Sequence, residues 1–143
     1  MTVTIKNLDA VVAGLIKEGQ AYEAAAGYAL GKVGLEIERQ AKLNASTGQH
    51  KRGEPRVAGG VGPNIVSGQL RRSINTRLFI GFGHYKVEVG TSMIYARQVE
   101  LGGGNWKSGV KYPYLVPALE SLQKSGALNR IFQNSMRSKL GGK

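Results

Sequence analysis

Between residues 20 and 43, in "QAYEAAAGYALGKVGLEIERQAKL", apolar residues return every three or four positions. Tyr22, Ala26, Ala29, Val33, Ile37 and Ala41 draw one stripe on a period of 3.6, which predicts a long amphipathic helix near the N-terminus. Glu18 and Glu23 lie early and Arg39 and Lys42 late, an order that suits the helix dipole. Gly27, Gly31 and Gly34 each weaken such a helix by up to about 1 kcal/mol relative to alanine. The expected compensation is close packing, because small residues let another backbone approach. That backbone belongs either to the chain's own sheet or to another subunit. Upstream, "NLDAVVAGLIKEG" predicts a separate short helix, with Asn7 or Asp9 as its cap and Gly19 as its stop.

The chain changes character after the long helix. Residues 44–66 are rich in glycine, proline and charge and keep no apolar period, so they predict a long basic loop, mobile in the free protein. The charge is uneven. Residues 46–86 carry seven basic side chains and one acidic, and residues 121–143 carry five basic and none acidic. These two regions account for the net charge of +11, and such a field attracts polyanions, either nucleic acid or an acidic protein face. A chain of 143 residues suggests a single domain over 1–143, with the loop at about 44–66 and a frayed basic tail at about 138–143 as its mobile parts. There is no cysteine, which excludes disulfides and thiolate metal sites and fits an intracellular place of assembly. No apolar run is long enough for a membrane span.

After the loop, "SGQLRRSI" predicts a short helix with Ser67 as cap and Leu70 and Ile74 on one face. Leu78, Ile80 and Phe82 alternate, as do Tyr85, Val87 and Val89, with glycine between the runs; this predicts a β-hairpin. "MIYARQVELGGG" then predicts a helix from Met93, capped by Thr91 or Ser92 and ended by Gly102. Ile94, Val99 and Leu101 are its expected apolar contacts. Arg97 and Glu100, three apart, are expected to be surface neighbours. Further on, Pro113 favours an extended Tyr112, and Tyr114, Leu115 and Val116 are expected as a strand end or extended arm. Pro117 suits the first turn of a helix running to about Lys124, and Gly126 separates it from a last basic helix. The pattern as a whole is α+β: a long N-terminal helix packed on a small antiparallel sheet, with additional short helices and a long basic loop.

Chemistry is poorly represented. There is no G-x-S-x-G elbow, neither His50 nor His84 stands in a catalytic signature, and the nine acidic residues are scattered rather than grouped for a metal. "GGVGP" and "GGGN" do not match the phosphate-loop spacing. Glu100 has no partner carboxylate, and its expected role is a surface contact with Arg97 or a neighbouring subunit. No catalytic, metal or cofactor-binding residue is assigned, no cofactor is expected, and the chain is not expected to be an enzyme. Lys51, Arg52, Arg56, Arg71 and Arg72 are the candidate contacts to DNA or an acidic partner, in a backbone mode without base reading.

Three elements stand in order: "SGQLRRSI" at 67–74, "VGTSMIYARQVELG" at 89–102 and "PYLVPAL" at 113–119. Their order and spacing resemble the neck or tail-completion family of long-tailed bacteriophages, the group related to minor tail protein Z. Members tend to show TG-x-L-x-x-S-I, V-G-[ST]…Y-A-x-x-x-E-x-G and P-[FY]-L-x-P-A-L. Here Ser67 replaces the common Thr, Leu101 a frequent aromatic, and Tyr114 the usual Phe. The resemblance spans about residues 10–130. It implies a non-enzymatic virion protein at the head–tail junction, made in the bacterial cytoplasm. Its subunits would form a ring, hexameric by preference, between head-closure or connector proteins and the tail terminator or tail tube. The ring would surround the DNA channel with non-specific contacts to the genome and none to membrane. Tyr95, Arg97, Glu100, Trp106, Tyr112 and Tyr114 are then the candidate subunit-interface residues. The alternative is a basic nucleic-acid-binding protein without sequence specificity.

Overall fold

The structure is a computed structural model that describes residues 1–4, 19–49, 51, 62–63, 65, 67–81, 84–102 and 111–141. It is α+β, as the sequence predicts. The long helix α1 spans Gln20–Asn44, 25 residues, and lies between two layers. On one side sits an antiparallel sheet in the order β1-β3-β2, built from β1 (Thr2–Thr4), β2 (Asn75–Gly81) and β3 (His84–Gly90). Three shorter helices lie farther along the described chain: α2 (Gln69–Ser73), α3 (Ala96–Leu101) and α4 (Leu115–Lys124). A last helix, α5 (Ala127–Leu140), lies with α4 against α1.

The apolar stripe on α1 is buried as expected at Ala26, Ala29, Val33, Ile37 and Ala41, and it widens to take in Ala25 and Leu30. Tyr22 packs at its margin. Two layers contact this helix, so two faces must be apolar, and alanine serves both without forcing either layer away. The glycines face the chain's own sheet. A Cβ on Gly34 would stand 2.5 Å from Cγ2 of both Thr76 and Val87, and one on Gly27 would stand 3.1 Å from Ile80 Cδ1. Tyr85, Val87 and Val89 of β3 bury their side chains on this side, and Lys86 and His84 do not. That is the period-2 alternation the sequence carries.

Several boundaries differ from expectation. β1 has three residues among those described, too few for an alternation to announce it. α2 begins after Gly68 in the left-handed region at φ +72°, one residue beyond the position a cap at Ser67 predicts. The helix expected from Met93 begins at Ala96, because the Thr91 hydroxyl accepts the Met93 N–H at 3.1 Å and holds a turn there. Ile94, expected to pack, is 98% exposed. Leu115 and Val116, expected to be extended, form the first turn of α4. α5 continues to Leu140, where the Gly141 N–H bonds the Arg137 carbonyl at 2.7 Å, so residues 138–140 are helical rather than frayed.

The loop expected over 44–66 is closed at both ends. Asn44 belongs to α1, the Thr47 hydroxyl donates to the Gly62 carbonyl at 2.8 Å, and the Ile65 N–H donates to the Gly48 carbonyl at 2.6 Å. The rest of that loop and the short helix expected over 7–19, apart from Gly19, lie outside the described residues. Among the described residues no helix is long and apolar enough to cross a membrane.

Candidate functional site

Helix α4 starts without a capping side chain. Tyr114 stands at its N-cap and makes no side-chain bond to the first turn. The first four N–H groups of any α-helix lack an intrahelical acceptor. Here those positions are 114 to 117, and Pro117 carries no N–H. Three donors therefore need an acceptor from elsewhere, and Glu100 takes all of them. Its Oε2 accepts from the N–H of Tyr114 at 2.8 Å and of Leu115 at 3.1 Å, and its Oε1 accepts from Val116 at 2.8 Å. The Glu100 side chain sits in the core, 1% exposed. The carboxyl group faces the positive end of the α4 dipole and stands where the helix's unpaired donors converge.

The backbone around Glu100 is built to hold it there. Gly102 at φ +71° turns the chain out of α3, with its N–H on the Gln98 carbonyl at 2.8 Å. The returning chain then lies alongside α3, where the Tyr112 N–H donates to the Val99 carbonyl at 2.8 Å. The Asn44 amide donates to the Tyr114 carbonyl at 3.0 Å, which ties the start of α4 to the end of α1. Tyr114 itself is fully buried, and its hydroxyl has no hydrogen-bond partner among the described residues. Burial, then the nearby charges of Glu100 and Tyr95, push its phenol well above the usual tyrosine range.

These positions correct the interface assignment. Glu100 and Tyr114 are interior, so neither side chain is available to another subunit. The expected pair of Glu100 with Arg97 is replaced by the three backbone bonds, and Arg97 points to solvent. Leu101, expected to be the buried neighbour, is 53% exposed. Tyr95 and Tyr112 are half-buried against the core, and Trp106 lies outside the described residues. The sequence does hold a sign of Glu100's role. "YPYLVPAL" begins a helix with no Ser, Thr, Asp or Asn at its start, so its donors must be satisfied from a distance.

Of the candidate polyanion contacts, Lys51, Arg71 and Arg72 are exposed, and Arg52 and Arg56 lie outside the described residues. Arg72 donates to the Ser67 carbonyl at 3.0 Å, and no carboxylate pairs with it among the described residues. The structure does not gather these side chains with the Glu100 latch. Among the described residues no three His, Asp or Glu side chains converge as metal ligands. A polar cup of about 220 Å³ opens on the sheet face away from α1, between Asn75, Arg77 and Thr91. Comparison with protein-family models, with curated proteins and with solved structures finds no match.

Proposed function

We propose that the chain is a structural subunit of a phage head–tail connection, a neck or tail-completion ring part, hexameric by preference, that joins the head connector to the tail around the DNA channel. One observation carries the reading. The Glu of the Y-A-x-x-x-E-x-G element and the helix start of the P-[FY]-L-x-P-A-L element are the acceptor and donors of one latch. Two sequence elements that define the resemblance thus have a joint physical meaning. The third joins the same unit: Ser73 at the end of α2 shares a 2.5 Å hydroxyl contact with Thr91. Both oxygens of Glu100 are engaged by backbone, so this acid supports shape rather than acid–base turnover. A closed ring needs two different patches per subunit, and the exposed Ile94, Leu35 and Leu43 are apolar surface of the kind such contacts cover.

The test is a nonsense mutation in the gene for this chain within its phage. The expected result is DNA-filled heads and separate tails in the lysate, with joining restored by the chain supplied in trans. Infectious particles of normal morphology without the chain would contradict the reading. The nucleic-acid alternative draws on Arg71 and Arg72, exposed in a stretch that has no acidic residue from 55 to 86. A chain that stays out of particles and binds duplex DNA tightly at low salt would favour it.

A further inference from the structure

We infer that the open edge of β2 pairs with β2 of a second copy, antiparallel and centred on Leu78, so that two three-stranded sheets become one of six. β3 takes one edge of β2 along all seven residues. In an antiparallel strand every second residue turns its N–H and C=O away from that neighbour. Those groups have no backbone partner among the described residues.

The edge also lacks the features that keep such strands apart. Register is continuous from Asn75 to Gly81 without a bulge, there is no proline, and Arg77 is the single charge. Leu78, Phe79 and Ile80 are 38%, 45% and 63% exposed in succession. An apolar, unbulged edge of this length is a template for another strand.

The strand's own sequence fits it. Centred on Leu78, the pairing sets Leu78 against Leu78 and Thr76 against Ile80 on the α1 side. On the open face it sets Arg77 against Phe79 and Asn75 against Gly81. The only charge therefore meets an aromatic ring and never its own copy. That face already accepts a cation on the ring, since the Lys86 ammonium lies 5.3 Å from the Phe79 centroid. Among the described residues the opposite edge of the sheet offers three, which cannot match seven.

The pairing concerns the free chain and so goes beyond the ring reading. It is tested on purified protein, so its failure and the failure of the virion assignment are separate results. Sedimentation at protein concentrations up to about 100 μM should show a dimer. Each copy carries +11, so dimerisation should tighten between about 0.15 M and about 0.5 M NaCl. Phe79→Lys sets like charges opposite Arg77 twice per dimer and should weaken association by about tenfold or more. Adding Arg77→Glu should restore it. Circular dichroism checks that each variant folds, and Ile80→Lys replaces any that does not. A wild-type chain that stays monomeric overturns the inference. So does a dimer indifferent to these substitutions, a Phe79→Lys defect that Arg77→Glu does not repair, or edge pairing found only with an acidic strand of another protein.

Discussion

Replacing Glu100 by Gln keeps the side chain's size and removes its charge. An amide oxygen placed at the Oε2 position still accepts from Tyr114 and Leu115, but the amide NH2 then faces the Val116 N–H, donor against donor. One charge-assisted bond is lost, worth about 1.5–3 kcal/mol, and the two retained bonds fall to ordinary strength, about 1 kcal/mol more in total. Some of this returns because a neutral group is cheaper to bury. The expected loss is about 2–4 kcal/mol, or about 5–15 °C in melting temperature for a chain of this size. Glu100→Ala, which orphans all three donors, should lose more. Leu101→Asp is the contrast. Leu101 is half exposed, so its loss should stay at about 1 kcal/mol. Thermal and urea unfolding of the three variants measure this directly. If Glu100→Gln melts with the wild type, or Leu101→Asp melts below Glu100→Gln, the latch does not hold α4 as described.

Tyr114→Phe removes a buried hydroxyl that has no partner among the described residues and should stabilise the chain by about 1 kcal/mol in urea unfolding. The same substitution should blunt alkaline loss: the raised phenols of Tyr114 and Tyr85 give stability that is full below the unfolded pKa of about 10 and is lost as pH rises above it. At Glu38, burial raises the carboxyl, but the hydrogen bonds from Lys42 and Thr76 and the Lys42 charge outweigh it and hold the group below its usual range. Its contribution is therefore present above about pH 4.3 and lost as pH falls below that, and Thr76→Val should flatten the acid limb of a stability–pH curve. Gly34→Ala should lower the melting temperature by driving a methyl into Thr76 and Val87, a net cost of about 1–2 kcal/mol after the gain in helix propensity. Gly31→Ala, where the nearest sheet atom is 3.9 Å away, should instead stabilise by about 0.5–1 kcal/mol.

The contrast between α1 and α3 shows what the sequence makes legible. Successive turns of α1 repeat the same stripe, so its buried face and the close approach at its glycines can be read from spacing alone. The hairpin is legible for a similar reason, since Tyr85, Val87 and Val89 alternate over enough residues to fix a face. α3 has six residues, and in fewer than two turns a leucine and a glutamate side by side do not reveal which one turns inward. Glu100 is inside because its partners lie 14 to 16 residues away, beyond any local period. Tyr114 reads as an arm because an extended residue beside a proline and the start of a helix share the same few positions. The missing cap before Pro117 is the usable clue, and it requires counting donors rather than apolar positions. Of the interface candidates, Arg97 is outside and Tyr95 and Tyr112 are half-buried at the edge of the core. The exposed Ile94, Leu35, Leu43 and β2 edge are apolar surface that periodicity assigns to packing or leaves unmarked.

The most direct test of the proposed role is a reconstruction of the intact phage neck at side-chain resolution. The account predicts a closed ring of this chain at the head–tail junction, with α4 seated on Glu100 in every subunit and apolar contacts formed by surface that is exposed in the single chain. Purified infectious particles in which the junction is built without this chain would contradict it.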